Sequence, residues 1–292
     1  MRVADSTVAQ LLTTQLLNDQ SSVSTLQSQL SSGQALSQPS DNPAAVVQVL
    51  ADQSQLSQVN SWQANTSSAQ GWLGVSGNTV GAMVTQLQQA RTLLLGVQSA
   101  TTSSAQANAT AAQITAISQS LLSMANTTYL GRSVFGGCSP GAQAYNAAGT
   151  YVGSGNAPTT QVGAGQHVAL SLAGPQVLGT GSTSAFAVLA KISSDLTSGA
   201  GTAALSADLG ALTTTLATTI QASATLGIAS SQVQNASTQL QAQSTNLTVG
   251  LNQLQSINVP QVATELQTAL NTYQGALAVT SKVVLPSVLS FL

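Results

Sequence analysis

The chain has 292 residues, 43% of them apolar, but only five Lys or Arg and seven Asp or Glu, where about a quarter of a soluble protein is usually charged. This length allows two or three domains and a sizeable core, with solubility left to Ser, Thr, Gln and Asn. Five scattered basic residues and a net charge of −2 give no phosphate-binding footprint, so nucleic acid is excluded as an expected partner.

The first residues, Met1-Arg2-Val3-Ala4-Asp5, lack the apolar stretch of a cleavable signal peptide. Leu93-Leu94-Leu95 and similar runs are far too short to cross a bilayer. The reading is therefore no membrane insertion, and any export without a cleaved signal.

Taken in order, Ala9, Leu12, Leu16, Asp19, Val23, Leu26 and Leu30 recur in steps of three and four, the spacing of a helix seam facing a partner helix. Gly33 suits a helix stop. Pro39-Ser40-Asp41-Asn42-Pro43 reads as a turn, with Ser40, Asp41 or Asn42 as N-cap and Pro43 in the first turn of a second helix reaching about Ser67. The alternation resumes at Ala69, Leu73, Ser76, Val80, Met83, Leu87, Ala90 and Leu94. Gly71, Gly74, Gly77 and Gly81 blur the start of that helix, each weakening it by about 1 kcal/mol relative to Ala.

Ile114, Ile117, Leu121 and Met124 mark a further helix. Composition shifts at Tyr129, and Gly-rich sequence broken by Pro140, Pro158 and Pro175 runs to about Ser184. Val162, residues 167–172 and Val177-Leu178 look like short strands there. Helical signal returns at Phe186 and continues through residues 205–220. It then enters a seam of Leu226, Ser230, Val233, Ser237, Leu240, Ser244, Leu247, Leu251 and Leu254. Asn258-Val259-Pro260 starts the last helix, whose seam is Ala263, Leu266, Leu270, Tyr273, Leu277, Thr280 and Val284. An intramolecular bundle accounts for the middle helices. The two terminal seams have two open outcomes, pairing with each other or with neighbouring subunits.

Groups that attack, transfer protons or hold a metal are scarce. His167 is the single histidine, Cys138 the single cysteine without a sequence-local activator, and the carboxylates are widely spaced. No His, Cys and carboxylate cluster has metal-ligand spacing. Gly153-Ser154-Gly155-Asn156 and Gly163-Ala164-Gly165 are not followed by the Lys and Ser/Thr of a phosphate loop and read as hairpin turns. No catalytic, cofactor or metal site is expected, which favours a structural or interaction protein.

Three motifs carry a family resemblance. Residues 31–45, with Pro39 and Pro43 around Ser40-Asp41, resemble the segment after the first helix of the bacterial flagellin family, in the form typical of hook-associated protein 3. Leu121 to Thr127, followed by Gly131-Arg132-Ser133-Val134-Phe135-Gly136-Gly137, is similar to that family's junction ahead of its variable domain. Residues 263–280, with Phe291-Leu292 at the end, resemble its C-terminal helix. The scarcity of charge, Gln34-Ala35 in place of basic residues, Ser133 after the Arg and the cysteine depart from the pattern.

The resemblance implies a mainly α fold of long antiparallel helices and terminal coiled-coil arms with a small β-rich insert. Its expected division is 1–36 plus 258–292 as terminal arms, 37–137 plus 185–257 as a helical rod, and 138–184 as the exposed insert. It implies a non-enzymatic, secreted subunit of the extracellular flagellum at the junction between hook and filament. Expected partners are further copies in a homo-oligomeric ring, hook-associated protein 1, flagellin and a flagellar export chaperone. Self-assembly would rest on Leu12, Leu16, Val23, Leu26 and Leu30 with Leu266, Leu270, Tyr273, Leu277 and Val284. Flagellin itself is the nearest alternative, and a Ser/Thr-rich secreted adhesin a more distant one.

Overall fold

The computed structural model describes residues 2–36, 38, 40, 42–98, 103–139, 141 and 143–284, with side chains from Thr7 to Ser281 except that of Ala9. Pro39 and Asp41 of the first motif and Phe291-Leu292 of the third lie outside the described residues, as does the side chain of Val284. The described residues are mainly helical, with long antiparallel helices and two small two-stranded sheets. In order come α1 (Arg2–Ser32), α2 (Pro43–Gln98), α3 (Ser104–Ala125), β1 (Thr128–Tyr129), β2 (Arg132–Ser133), β3 (Thr159–Gly163), β4 (Gln166–Ala169), α4 (Gly174–Leu178), α5 (Ala185–Ser198), α6 (Thr202–Gln255) and α7 (Val259–Val284). They form two compact units: residues 1–58 with 244–292, and residues 59–243.

In the first unit α1 packs along α7. Two backbone hydrogen bonds set their direction. Ala35 N–H donates to the Gln255 carbonyl at 2.7 Å and Ile257 N–H to the Gly33 carbonyl at 3.4 Å. The chain leaving α1 thus pairs with the chain entering α7, and the helices run antiparallel. Gly33, at φ 70°, supplies the left-handed residue that ends α1. Asn42 caps α2: its Oδ1 accepts from the Ala45 N–H at 3.1 Å while Pro43 takes the first helical position.

The second unit holds the main core. On α2 the residues Leu73, Ser76, Val80, Met83, Leu87, Ala90, Leu94 and Val97 are all buried, a three-four alternation sustained over three and a half heptads. They pack with Ile114, Ile117 and Leu121 of α3, Leu189 and Ile192 of α5, and Leu212, Leu226 and Val233 of α6. Burial of each large side chain contributes about 1.5–3 kcal/mol. The four glycines near its middle do not interrupt α2, which runs unbroken for 56 residues. Their helix cost of about 1 kcal/mol each is outweighed by the burial of Ala69, Trp72, Leu73, Ser76 and Val80 around them.

Three other sequence expectations are corrected. Val177-Leu178 is the end of the short helix α4, started by Pro175 in its first turn, where proline's fixed φ and missing N–H cost the helix nothing. Residues 170–172 lie beyond β4 and are not strand. The helical signal after Phe186 is not continuous either: Gly199, at φ 69°, caps α5 with its N–H on the Asp195 carbonyl, and α6 starts at Thr202.

Candidate assembly surfaces and the motif joint

Leu12, Leu16 and Leu26 of α1 are half-buried, Val23 is buried and Leu30 is 36% exposed. On α7, Leu266, Leu270 and Tyr273 are half-buried, while Leu277 is 42% exposed. The covered positions of α7 are Val262, Leu266, Ala269, Leu270, Tyr273, Ala276 and Thr280, so Leu277 falls just off the covered stripe. The described seam residues therefore meet within one chain, and most are only partly covered.

Apolar exposure is concentrated in this unit. Among the described residues, Val8, Leu11, Leu17, Leu30, Val47, Leu50, Val249, Val259, Leu277 and Val279 are exposed here, against only Leu95, Leu130, Val152, Ile220 and Ile228 in the larger unit. Val47 and Leu50, one helical turn apart on α2, are 68% and 60% exposed. Seam reasoning misses these two, because they follow the turn motif rather than the heptad stripe. An excess of this kind marks surfaces that meet other molecules.

The second motif, residues 121–137, builds a joint. Asn126 ends α3, and its side chain clamps the following loop. Its Oδ1 accepts from the N–H groups of Ala144 and Tyr145, and its Nδ2 donates to the Tyr145 carbonyl, all at 2.9 Å. β1 and β2 pair as a hairpin, Tyr129 opposite Arg132. The turn residues Leu130 and Gly131 both have positive φ, 50° and 77°, as a tight two-residue hairpin requires. Val134 and Phe135 plunge into the core, and the Phe135 carbonyl accepts from the Gly174 N–H at 2.9 Å. The Gly136 carbonyl accepts from Ser154 N–H at 3.1 Å. Gly131 and Arg132 stay exposed. Gly71 on α2 leaves room for the Tyr129 hydroxyl, which a Cβ would strike, and Tyr129 meets Trp72 edge-on at 5.4 Å. Phe135, Gly136 and Asn126 thus fix the start of the insert.

Within the insert, Tyr145 packs edge-on against Tyr151 and Phe186 at 5.4 and 5.2 Å beside a cavity of about 390 Å³. Burial, then the neighbouring Tyr151, pushes the Tyr145 phenol well above its usual range. His167 lies exposed on a groove with Gln166, Gln232, Asn235 and Gln239. Cys138 is exposed, its thiol 3.2 Å from the Asn156 carbonyl. None of these side chains is paired with an acid, base or nucleophile in a catalytic arrangement. Among the described residues, no group of three His, Cys, Asp or Glu could hold a metal ion, and no helix is long and apolar enough to cross a membrane.

One charged cluster escapes sequence reasoning. Lys191 Nζ lies 2.6 Å from Asp195 Oδ2 and 2.7 Å from Asp208 Oδ1. The Lys191–Asp195 spacing of four is visible in the sequence; Asp208, on another helix, is not.

Residues 3–139 match the family model of the bacterial flagellin N-terminal helical region. The chain also aligns with the crystal structure of Bacillus cereus FlgL, with a TM-score of 0.60 and 20% identity over 69% of this chain and 99% of that one. A putative flagellar hook-associated protein from Vibrio parahaemolyticus aligns with a TM-score of 0.65 and 18% identity over 74% of this chain and all of that one. No curated protein sequence matches.

Proposed function

Because the first half of the chain carries the bacterial flagellin N-terminal helical region on the fold of a hook-associated protein, we propose that it is a structural subunit at the hook–filament junction of the flagellum. In this reading it is exported to the extracellular flagellum by the flagellar secretion route, held by a chaperone until then. Copies form a ring, seated on hook-associated protein 1 and capped by flagellin. The terminal unit, 1–36 with 258–292, is the assembly element. The helical rod supports it, and residues 138–184 face outward.

The observation that carries this reading is the uneven exposure of apolar side chains. Leu11, Leu17 and Val279 stand more than half exposed in the terminal arms, as do Val47 and Leu50 at the start of α2, and burying one such side chain contributes about 1.5–3 kcal/mol. Leu12, Leu16, Val23, Leu26, Leu30, Leu266, Leu270, Tyr273, Leu277 and Val284 supply the helical seam, completed when neighbouring copies cover what α1 and α7 leave open. The scarcity of charge over the whole chain suits close packing of like subunits, because few ions have to be desolvated. Polymerisation of the purified chain separates this reading from flagellin. In this reading the purified chain stops at a short ring; long filaments from this chain would select the flagellin reading.

A further inference from the structure

The chain has only three Phe, two Trp and four Tyr in 292 residues, and three of these rings, Tyr145, Tyr151 and Phe186, meet edge-on around one cavity of about 390 Å³. That volume lies within the range of small-molecule pockets. Tyr145 and Phe186 are almost fully buried, at 2% and 7% exposure. Tyr151 is half-buried, so part of its ring stays open to a guest. Thr150, Thr180 and Ser184 add hydroxyls to the lining, and none of the lining residues is charged. We propose that this cavity, where the insert meets α5, is a binding site for a neutral pyranose sugar.

Both walls are held in place by the chain itself. On one side Asn146 Oδ1 accepts from the Ala148 and Thr150 N–H groups at 3.0 and 2.9 Å, and the Gly149 N–H donates to the Asn146 carbonyl at 2.9 Å. Gly149, at φ 74°, lies so close to Phe186 that a Cβ there would strike the ring. On the other side the Thr180 carbonyl accepts from the Thr183 N–H at 3.1 Å and from Thr183 Oγ1 at 2.9 Å. Ser184 Oγ caps α5 by accepting from the Ala187 N–H at 3.2 Å. Walls fixed in this way lose little conformational freedom when a guest binds.

The lining selects the class of guest. A charged ligand would give up its water with no counter-charge among the lining residues. A wholly apolar one would shut the exposed Thr150 and Thr180 away from water with their hydroxyls unpaired. A pyranose ring meets both conditions. Its C–H face packs on the Tyr151 ring, and its rim of hydroxyls bonds to threonine and serine hydroxyls, which both donate and accept. Because the insert and α5 build the site, it stands whether or not the chain sits at the hook–filament junction.

Saturation-transfer nuclear magnetic resonance on the full chain tests the site, with glucose, galactose, mannose and N-acetylglucosamine as separate probes and cyclohexanol as an apolar ring of similar size. At least one sugar should receive saturation, and cyclohexanol should not displace it. Thr180→Val keeps the shape of an exposed side chain and deletes its hydroxyl, and should weaken that sugar about tenfold. Ala187→Leu adds volume to the cavity lining and should abolish binding. Gln232→Ala, on the separate groove beside His167, should leave it unchanged. No transfer to any of the four sugars, displacement by cyclohexanol, a signal at full strength in both Thr180→Val and Ala187→Leu, or its loss in Gln232→Ala would each overturn the proposal. The wild-type arm decides even if a variant does not fold.

Discussion

Replacing Asn126 with Ala tests whether the second motif acts as a joint. The substitution deletes one acceptor and one donor, leaving the N–H groups of Ala144 and Tyr145 and the Tyr145 carbonyl without their 2.9 Å partner. Ala144 and Tyr145 are buried, at 0% and 2% exposure, so water cannot freely take over. At about 1 kcal/mol for each orphaned backbone group, the loss is about 3 kcal/mol. For a unit of this size that lowers the melting temperature by about 6–12 °C. Asn126→Asp keeps the acceptor for both N–H groups but sets a carboxylate against the Tyr145 carbonyl, and should lose about half as much. Thermal melts followed by far-ultraviolet circular dichroism, with tyrosine absorbance reporting on the Tyr145 loop, make the comparison. A loss below about 1 kcal/mol for Ala, or equal losses for Ala and Asp, would refute the clamp.

Leu26→Glu should abolish assembly and motility while leaving the melting of the larger unit unchanged, since Leu26 lies in the other unit; a matching fall in that transition would show the seam to be part of the larger unit's core. Gly74→Ala, with nothing within 4 Å of the added methyl, should raise stability by about 1 kcal/mol. Gly71→Ala should not, because its methyl strikes the Tyr129 hydroxyl; equal gains in chemical denaturation would remove the packing role of Gly71. The melting temperature should stay nearly flat from pH 8 to pH 5, since the lowered Asp195 and raised Lys191 keep their contribution across that range and lose it only below it, as acid protonates the carboxylate, or as the pH rises through about 12. A cooperative melt near pH 6 would contradict this.

The long helices are legible in the sequence because their burial repeats every three and four residues: every seam position from Ala69 to Leu94 is buried. The turn motif offers Ser40, Asp41 or Asn42 as the cap, and the structure selects Asn42, whose Oδ1 accepts from the Ala45 N–H. What stays hidden depends on contacts distant in sequence. The glycines of α2 look like breakers until Tyr129 is found against Gly71, 58 residues on in the chain by their numbers. Val177 and Leu178 have strand-forming side chains, but Pro175 and a hydrogen bond from Thr219 Oγ1 to the Val177 carbonyl hold them in a helix turn. The pairing of α1 with α7 follows from two similar seams, yet their spacing alone does not choose between a partner in the same chain and one in another copy. Asp208 has no local pattern at all; only the packing of α5 on α6 brings Lys191 to it.

Deletion of the gene in its own cell, followed by electron microscopy of the cell surface and assay of flagellin in the medium, tests the junction assignment most directly. A junction subunit leaves hooks that carry no filament, with flagellin lost to the medium and filaments restored by the intact chain but not by its Leu26→Glu variant. Normal filaments on the deleted cells would contradict it.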